Sequence, residues 1–136
     1  MAQVSIYKPE DFDTHIPQIL ADMQDKNLLL LQGPLGAGKT AFVKRLGKHL
    51  GVERHIVSPT FAYTREYILP DQGRMMHLDL YRYRGSLEEI LPKDIQGEAR
   101  IICIEWPEMV KEVFDFPHLI INLQYGTEKD SRTLLW

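Results

Sequence analysis

The chain has 136 residues, of which 44% are hydrophobic and 26% are charged, and its formal net charge is −3. This length and composition predict one globular domain spanning residues 1–136. The negative net charge argues against the broad basic surface with which proteins wrap a nucleic-acid duplex, but it is compatible with a small anionic ligand held by local groups.

Three further features of the sequence predict a cytoplasmic protein. The first residues, MAQVSIYKPEDFD, lack a basic region followed by an apolar stretch, so we expect no signal peptide. No apolar run approaches the roughly 18 residues of a membrane-spanning helix. Cys103 is the only cysteine and lies in the apolar run RIICIE, which predicts a buried thiol in a reducing compartment. The five histidines and Cys103 show no zinc-type spacing.

The N-terminal quarter of the chain is predicted to form a strand, a helix and a second strand. VSIYK (residues 4–8) has the pattern of an edge strand. Residues 9–23 open with Pro9 and acidic residues, as helices often do, although Pro17 argues against one straight helix. NLLLLQ (27–32) is a continuous apolar run that ends at glycine, which predicts a strand buried on both faces.

A glycine-rich loop, GPLGAGKT (33–40), joins this strand to an amphipathic helix over residues 39–50. Phe42, Val43, Leu46 and Leu50 fall on one face of that helix, and basic residues fall on the other. Gly51 is the expected C-terminal stop.

The second half of the sequence is dominated by strand patterns. FAYTREYIL (61–69) and RMMHLDL (74–80) flank a PDQG turn and predict a hairpin. Ser86 and Glu89 have the spacing of a capping box, which opens a short helix that ends near Pro92. RIICIE (100–105) and PHLIINLQY (117–125) are two more apolar strands, and TLLW (133–136) is predicted as a final edge strand. Such alternation predicts an α/β protein with a mostly parallel central sheet, antiparallel additions and helices on both faces.

The loop carries the Walker A pattern G-x-x-x-x-G-K-[ST] between a strand and a helix, which is the context of a phosphate-binding P-loop. The glycines let backbone N–H groups turn inward around phosphate oxygens at a helix N-terminus. Lys39 is expected to reach the β- and γ-phosphates, and the Thr40 hydroxyl is expected to ligate Mg²⁺. The predicted nucleotide-binding residues are Gly33, Pro34, Leu35, Gly36, Ala37, Gly38, Lys39 and Thr40. The fold class is therefore predicted as a three-layer, P-loop NTPase-like α/β fold.

The nucleotide base is predicted as adenine because the sequence contains no N-K-x-D tetrapeptide, the usual guanine-reading motif of GTP-binding switch proteins. A triphosphate site also needs a carboxylate that holds the metal ion. Glu105 and Asp79 both lie at strand ends, and Glu105 is the stronger candidate because its strand is the more continuously apolar. Each carboxylate is otherwise an ordinary solvated strand terminus. Trp106 suits a cap on the core, a partner contact or a nucleotide contact.

The roles of two further short stretches cannot be decided from their residues alone. SPT (58–60) is either a plain turn or a switch segment in which Thr60 responds to the γ-phosphate or its metal ion. YRYR (81–84) suits a solvated strand edge, a protein contact or a patch for single-stranded nucleic acid.

The motifs GPLGAGKT, SPTF, HLDLYR and IEWPE, in this order and spacing, closely resemble the TsaE family. The resemblance implies a bacterial, cytoplasmic P-loop ATPase with ATP and Mg²⁺ as cofactors, required for threonylcarbamoyladenosine modification of tRNA. It implies that the chain acts with the TsaD and TsaB proteins, does not itself transfer the threonylcarbamoyl group, and meets tRNA only through that complex.

The resemblance also assigns roles to individual residues. Thr40 and Glu105 would bind Mg²⁺, and Lys39, Thr60, Asp79 and Glu105 would form the catalytic set. Trp106 would be functionally important in another way, and adenine contacts would come from the two ends of the chain, near Thr14 and Arg132. Two alternative functions share the loop: a small-molecule kinase, which a missing arginine-rich lid argues against, and a binding module that uses nucleotide only as a switch.

Overall fold

A computed structural model describes residues 2–59 and 62–136, and the part of the chain that it describes contains one seven-stranded sheet. The strands are β1 (Gln3–Ile6), β2 (Leu28–Gln32), β3 (Thr64–Ile68), β4 (Arg74–Asp79), β5 (Ile101–Glu105), β6 (His118–Tyr125) and β7 (Arg132–Leu135). Their spatial order is β1-β7-β6-β2-β5-β4-β3. The four neighbours β6, β2, β5 and β4 are parallel, and the pairings of β3, β7 and β1 are antiparallel. The predicted mixed sheet, parallel at its centre, is confirmed.

The apolar runs predicted as central strands occupy the middle of this sheet. All five residues of β5 and the first four of β2 are buried, because helices cover both faces of the sheet there. The predicted hairpin is confirmed as β3 and β4. Since the central strands are parallel, their carboxyl ends meet at one edge, where β2, β4 and β5 end at Gln32, Asp79 and Glu105.

The position of the last strand differs from the prediction. TLLW was expected at the sheet edge, but β7 lies between β6 and β1 and is paired on both sides. The N-terminal strand β1 forms that edge instead, as predicted for VSIYK. The pattern of a short strand cannot reveal that another segment will add outside it, which explains the error.

Four α-helices and three 3₁₀ helices accompany the sheet within the described residues. They are α1 (Ile16–Met23), α2 (Lys39–Leu50), α3 (Leu87–Ile90) and α4 (Lys93–Glu98), with 3₁₀ helices at Pro9–Thr14, Pro107–Met109 and Lys111–Asp115. The helix predicted over 9–23 is divided at His15, because Pro17 lies in the first turn of α1, where a proline is tolerated. The predicted α2 and its stop at Gly51 are confirmed, as is the Ser86 cap of α3.

The core lies in two layers, one on each face of the sheet. One layer packs α1, α2 and the first 3₁₀ helix against the sheet, and Phe12 meets Phe42 edge-on in it. The other layer contains α3 and the segment after β5. Cys103 is fully buried in the first layer; burial raises the pKa of its thiol, and the charge of Glu105 acts in the same direction. Within the described residues, we find no helix with the length and apolar character needed to cross a membrane.

Candidate nucleotide-binding site

The glycine-rich loop runs from the end of β2 to the start of α2, as its sequence predicts. Gly36 and Gly38 have φ angles of 77° and 108°, and Gly38 is the N-cap of α2. These left-handed conformations are easy for glycine and strained for other residues. The loop therefore holds backbone N–H groups at a helix N-terminus, an arrangement that attracts anions.

Position 33 requires glycine for two reasons, a close backbone neighbour and its own backbone conformation. Its φ is 148°, and a Cβ atom placed on it would lie 2.2 Å from the carbonyl oxygen of Leu123 in β6. Because that atom belongs to the backbone of a central strand, the contact cannot be relieved by turning a side chain.

We therefore expect Gly33→Ala to lower the free energy of unfolding by about 2 kcal/mol or more, from backbone strain and overlap together. Urea denaturation measures this. Gly97→Ala is the matched control, since nothing lies within 4 Å of a Cβ at Gly97 in α4. There alanine should raise the free energy of unfolding by up to about 1 kcal/mol. Equal stabilities of Gly33→Ala and the parent would refute the steric argument.

Lys39, the first residue of α2, folds back over the loop. Its side chain donates a hydrogen bond to the Gly33 carbonyl, and its Nζ lies 3.5 Å from the centre of the Trp106 ring, a cation–π contact. Burial lowers the pKa of the Lys39 ammonium, while the carboxylates of Glu105, Glu108 and Asp79 act in the opposite direction. The ammonium is thus close to the loop, and the two groups that hold it, a carbonyl and an aromatic ring, carry no net charge.

Thr40 and Glu105 form a direct pair across the site. The Thr40 hydroxyl lies 2.9 Å from Oε1 and 2.8 Å from Oε2 of Glu105, and it donates to this carboxylate. Glu105, the last residue of β5, is only 3% exposed. His77 Nε2 contacts its Oε2 at 2.6 Å from β4. The structure therefore brings together the two residues predicted as metal ligands.

Asp79 is the register partner of Glu105 on the neighbouring strand. Its Oδ1 accepts a hydrogen bond of 3.1 Å from the backbone N–H of Tyr81. Burial raises the pKa of the Asp79 carboxyl; the Tyr81 hydrogen bond opposes this shift, and the charge of Glu105 adds to it. A carboxylate in a cleft with a raised pKa is suited to accept a proton.

Along the cleft, Lys39, Trp106, Tyr81 and Arg82 form a row in which cations and aromatic rings contact one another. Trp106 follows Glu105 in a left-handed conformation with φ of 58°, which turns its ring toward Lys39. The Tyr81 ring lies 4.8 Å from the Trp106 ring, and the Arg82 guanidinium lies 5.7 Å from the Tyr81 ring. Trp106 therefore lines the cleft and also packs against the core layer that contains α3, and its functional role stays a prediction.

The other side of the loop is held by the last two strands. Tyr125 donates its hydroxyl hydrogen bond to the Leu35 carbonyl, and Arg132 donates to the Gly36 carbonyl at 3.2 Å. The Arg132 guanidinium also lies 4.7 Å from the Tyr125 ring. Arg132 therefore borders the loop, whereas Thr14 is exposed at the end of the first 3₁₀ helix. Their contacts with adenine stay a prediction.

The loop opens into a cleft of about 740 Å³, large enough for a small-molecule ligand. Besides loop residues, Ser58, Tyr63, Asp79, Arg82 and Glu105 line it. Thr60 lies outside the described residues. The predicted site residues Lys39, Thr40, Asp79, Glu105 and Trp106 thus share one cleft, and Ser58 brings the SPT segment to its wall.

Sequence reasoning missed three contributors to this site: His77, Tyr125 and the contact of Arg132 with the loop. One signal was available for His77. It stands two residues before Asp79 in an apolar strand, so strand alternation places both side chains on the same face. Nothing local to Tyr125 or Arg132 indicates that the end of β6 and the start of β7 lie beside the loop.

The oxygen donors of the site fit a magnesium ion. Mg²⁺ prefers oxygen ligands and is commonly held by one or two carboxylates together with substrate phosphates. The Thr40 hydroxyl and the Glu105 carboxylate supply such oxygens side by side. Among the described residues no group of three or more His, Cys, Asp or Glu side chains is arranged to hold a metal ion unaided. The fit is therefore to a metal ion that arrives with a phosphate ligand.

The sheet order and the loop between β2 and α2 define an α/β protein of the P-loop NTPase-like class. Its structure is similar to the crystal structure of Bacillus subtilis YdiB, with a TM-score of 0.71 and 29% identity over 98% of this chain and 82% of that one. The chain belongs to the TsaE family, described as "Threonylcarbamoyl adenosine biosynthesis protein TsaE", whose family model matches residues 7–134.

Relatives in three organisms carry the name "tRNA threonylcarbamoyladenosine biosynthesis protein TsaE". The Synechocystis protein is 44% identical over 63% of this chain, and the Streptomyces coelicolor protein is 40% identical over 60% of it. Each alignment spans 57% of the relative's length. The Mycobacterium tuberculosis protein is 33% identical over 81% of this chain and 71% of its own length.

Proposed function

We propose that this chain binds and hydrolyses ATP with Mg²⁺ and, together with TsaB and TsaD, supports threonylcarbamoyladenosine modification of tRNA. The observation that carries the proposal is the convergence of Lys39, Thr40 and Glu105 on one glycine-rich loop at the carboxyl ends of the central strands. Family membership supplies the pathway. We also propose that the chain acts in the cytoplasm and meets tRNA only through its complex with TsaB and TsaD.

The loop backbone is the proposed phosphate site. N–H groups at the start of α2 would surround the β-phosphate, and Lys39 would exchange the Gly33 carbonyl for phosphate oxygens. The absence of N-K-x-D favours adenine as the base.

The pair of Thr40 and Glu105 is the proposed metal-holding pair. The Thr40 oxygen can offer a lone pair to Mg²⁺ while its hydrogen still points to Glu105, directly or through water. Bound Mg²⁺ would neutralise charge that develops on the phosphate oxygens during hydrolysis.

Asp79 is the proposed general base, which would accept a proton from the attacking water. Its carboxylate lies beside Glu105 at the strand edge and in the same cleft as the loop. The raised pKa of this carboxyl makes it a better proton acceptor than a fully solvated aspartate. Thr60 is proposed, on the family resemblance, to complete these catalytic surroundings.

We expect slow ATP hydrolysis by the isolated protein and faster hydrolysis with TsaB and TsaD. The cleft is open to solvent, and a partner can exclude water, order a switch segment or add a positive charge. Tyr81 and Trp106 are suitable anchors for such a partner, since aromatic residues dominate contact energies. Association should also depend on the nucleotide state.

Co-elution of the three proteins with ADP, ATP and a non-hydrolysable ATP analogue tests this, with phosphate release measured in parallel. Equal association in all three states, together with unchanged turnover, would refute the coupling. Transfer of phosphate to a small molecule would identify a kinase instead. Nucleotide binding without turnover, even with the partners present, would identify a binding module that uses nucleotide only as a switch.

A further inference from the structure

His77 is a buried polar residue, and the one side-chain hydrogen bond that it makes among the described residues is with the proposed metal ligand Glu105. It lies in β4 between Met76 and Leu78, and its side chain is fully inaccessible to solvent. A polar ring at such a position is costly unless it is hydrogen-bonded. Its Nε2 lies 2.6 Å from Glu105 Oε2, while its Nδ1 has no hydrogen-bond partner among the described residues.

Hydrogen-bond chemistry indicates whether His77 or Glu105 carries the hydrogen atom that lies between them. An ionised carboxylate can only accept hydrogen bonds, so the ring nitrogen that faces it must carry the hydrogen. The partner-free Nδ1 is consistent with this, because in a neutral ring with hydrogen on Nε2 it is only an acceptor. With Glu105 ionised, His77 Nε2–H donates to Glu105 Oε2.

The Glu105 carboxylate thus accepts hydrogen bonds from residues on two different elements. Thr40 donates to its carboxylate from the first turn of α2, and His77 donates from the adjacent strand β4. A free glutamate side chain has several rotatable bonds, and holding it in one orientation costs conformational entropy. Packing alone cannot orient the two oxygens, whereas two donors at fixed positions can.

We propose that His77 is a positioning residue that holds the Glu105 carboxylate against Thr40 in the orientation required for the metal ion. The inference rests on the proposed function of the site, since it gives Glu105 a metal to hold. Hydrogen-bond partners of metal ligands typically affect metal affinity or activity about 10–100-fold. A purely structural histidine would affect folding stability and leave metal binding unchanged.

The test compares His77→Leu, which removes the donor, with His77→Gln, whose amide can place an N–H near the position of Nε2. Met75→Leu is the matched control, because Met75 is equally buried on the same strand face and the exchange conserves volume. Paramagnetic resonance would measure Mn²⁺ binding in the presence of ADP, and calorimetry would measure ADP binding without metal.

We expect His77→Leu to weaken Mn²⁺ binding about 10–100-fold with little change in metal-free ADP binding. His77→Gln should recover part of the loss, and Met75→Leu should match the parent. Unchanged Mn²⁺ affinity in His77→Leu, or no recovery in His77→Gln, would overturn the proposal. Absence of any Mn²⁺–ADP binding by the parent protein would instead refute the proposed function.

A measurement on the unmodified protein keeps the inference testable if the His77 variants do not fold. Nitrogen-15 NMR of the imidazole rings distinguishes which nitrogen carries hydrogen. Hydrogen on Nε2 of His77 at neutral pH is the expected result. A bare Nε2 would mean that the ring does not donate to Glu105, and it would overturn the proposal without reference to any ligand.

Discussion

Lys39→Ala is expected to lower ATP turnover by at least about a hundredfold, which corresponds to about 2.7 kcal/mol of lost transition-state stabilisation. Lys39 is the only cationic residue in the loop, and the charge that develops on the transferred phosphoryl group needs a cation close by. Its contacts in the structure, a backbone carbonyl and the Trp106 ring, carry no net charge, so anionic phosphate oxygens would be the stronger partners.

The fold of Lys39→Ala should survive, with a stability loss of no more than about 2 kcal/mol from the lost ring contact and hydrogen bond. Lys44→Ala is the matched control, because Lys44 is an exposed lysine on the same helix. Phosphate release by both variants, with circular dichroism to verify folding, makes the comparison. Near-normal hydrolysis by Lys39→Ala would contradict the assignment of the loop.

Glu105→Ala is expected to bind ADP but lose ATP hydrolysis. A residue that holds Mg²⁺ matters more for the charged transition state than for capture of the nucleotide, which the loop backbone performs. Among the described residues, Glu105 is the carboxylate that contacts Thr40, so any hydrolysis that remains without it should not respond to Mg²⁺ concentration as the parent's does.

Asp79→Ala and Glu112→Ala provide the contrast for Glu105. Glu112 is an exposed carboxylate in the 3₁₀ helix at Lys111–Asp115, and its removal should have little effect on turnover. Asp79→Ala should lower turnover while keeping the Mg²⁺ dependence of the parent. If Glu105→Ala kept normal hydrolysis and metal dependence while Asp79→Ala lost both, the metal-holding role would belong to Asp79.

The sequence predicted the elements whose signals are local and strong. The apolar run before the loop, the glycines and the amphipathic α2 each carry their own pattern, and their succession predicted the site. Helix α4 (Lys93–Glu98) was missed because its six residues include Gly97 and none is buried, so it has no apolar face to detect. The division of the N-terminal helix was only suggested by Pro17.

Relations between distant segments were harder to predict. The edge assignment of β7 failed because pairing depends on where β1 is placed at the other end of the chain. Glu105 was preferred over Asp79 from its apolar strand alone, whereas its contact with Thr40 depends on the register of β2, β5 and α2. Strand alternation places His77 on the same face as Asp79, but its contact with Glu105 depends on the register between β4 and β5, which the sequence does not specify.

Because Cys103 is buried, the rate at which its thiol is chemically labelled reports how often the core of the unmodified protein opens. Its thiol is fully buried in the layer that packs α1 and α2 against the sheet, so a thiol-reactive reagent can reach it only after that layer opens. The labelling rate therefore reports the population of opened molecules. Any compound that binds only the folded state should slow that rate in proportion to its occupancy. Candidate nucleotides can thus be ranked by labelling kinetics, before any turnover is measured and without a mutation.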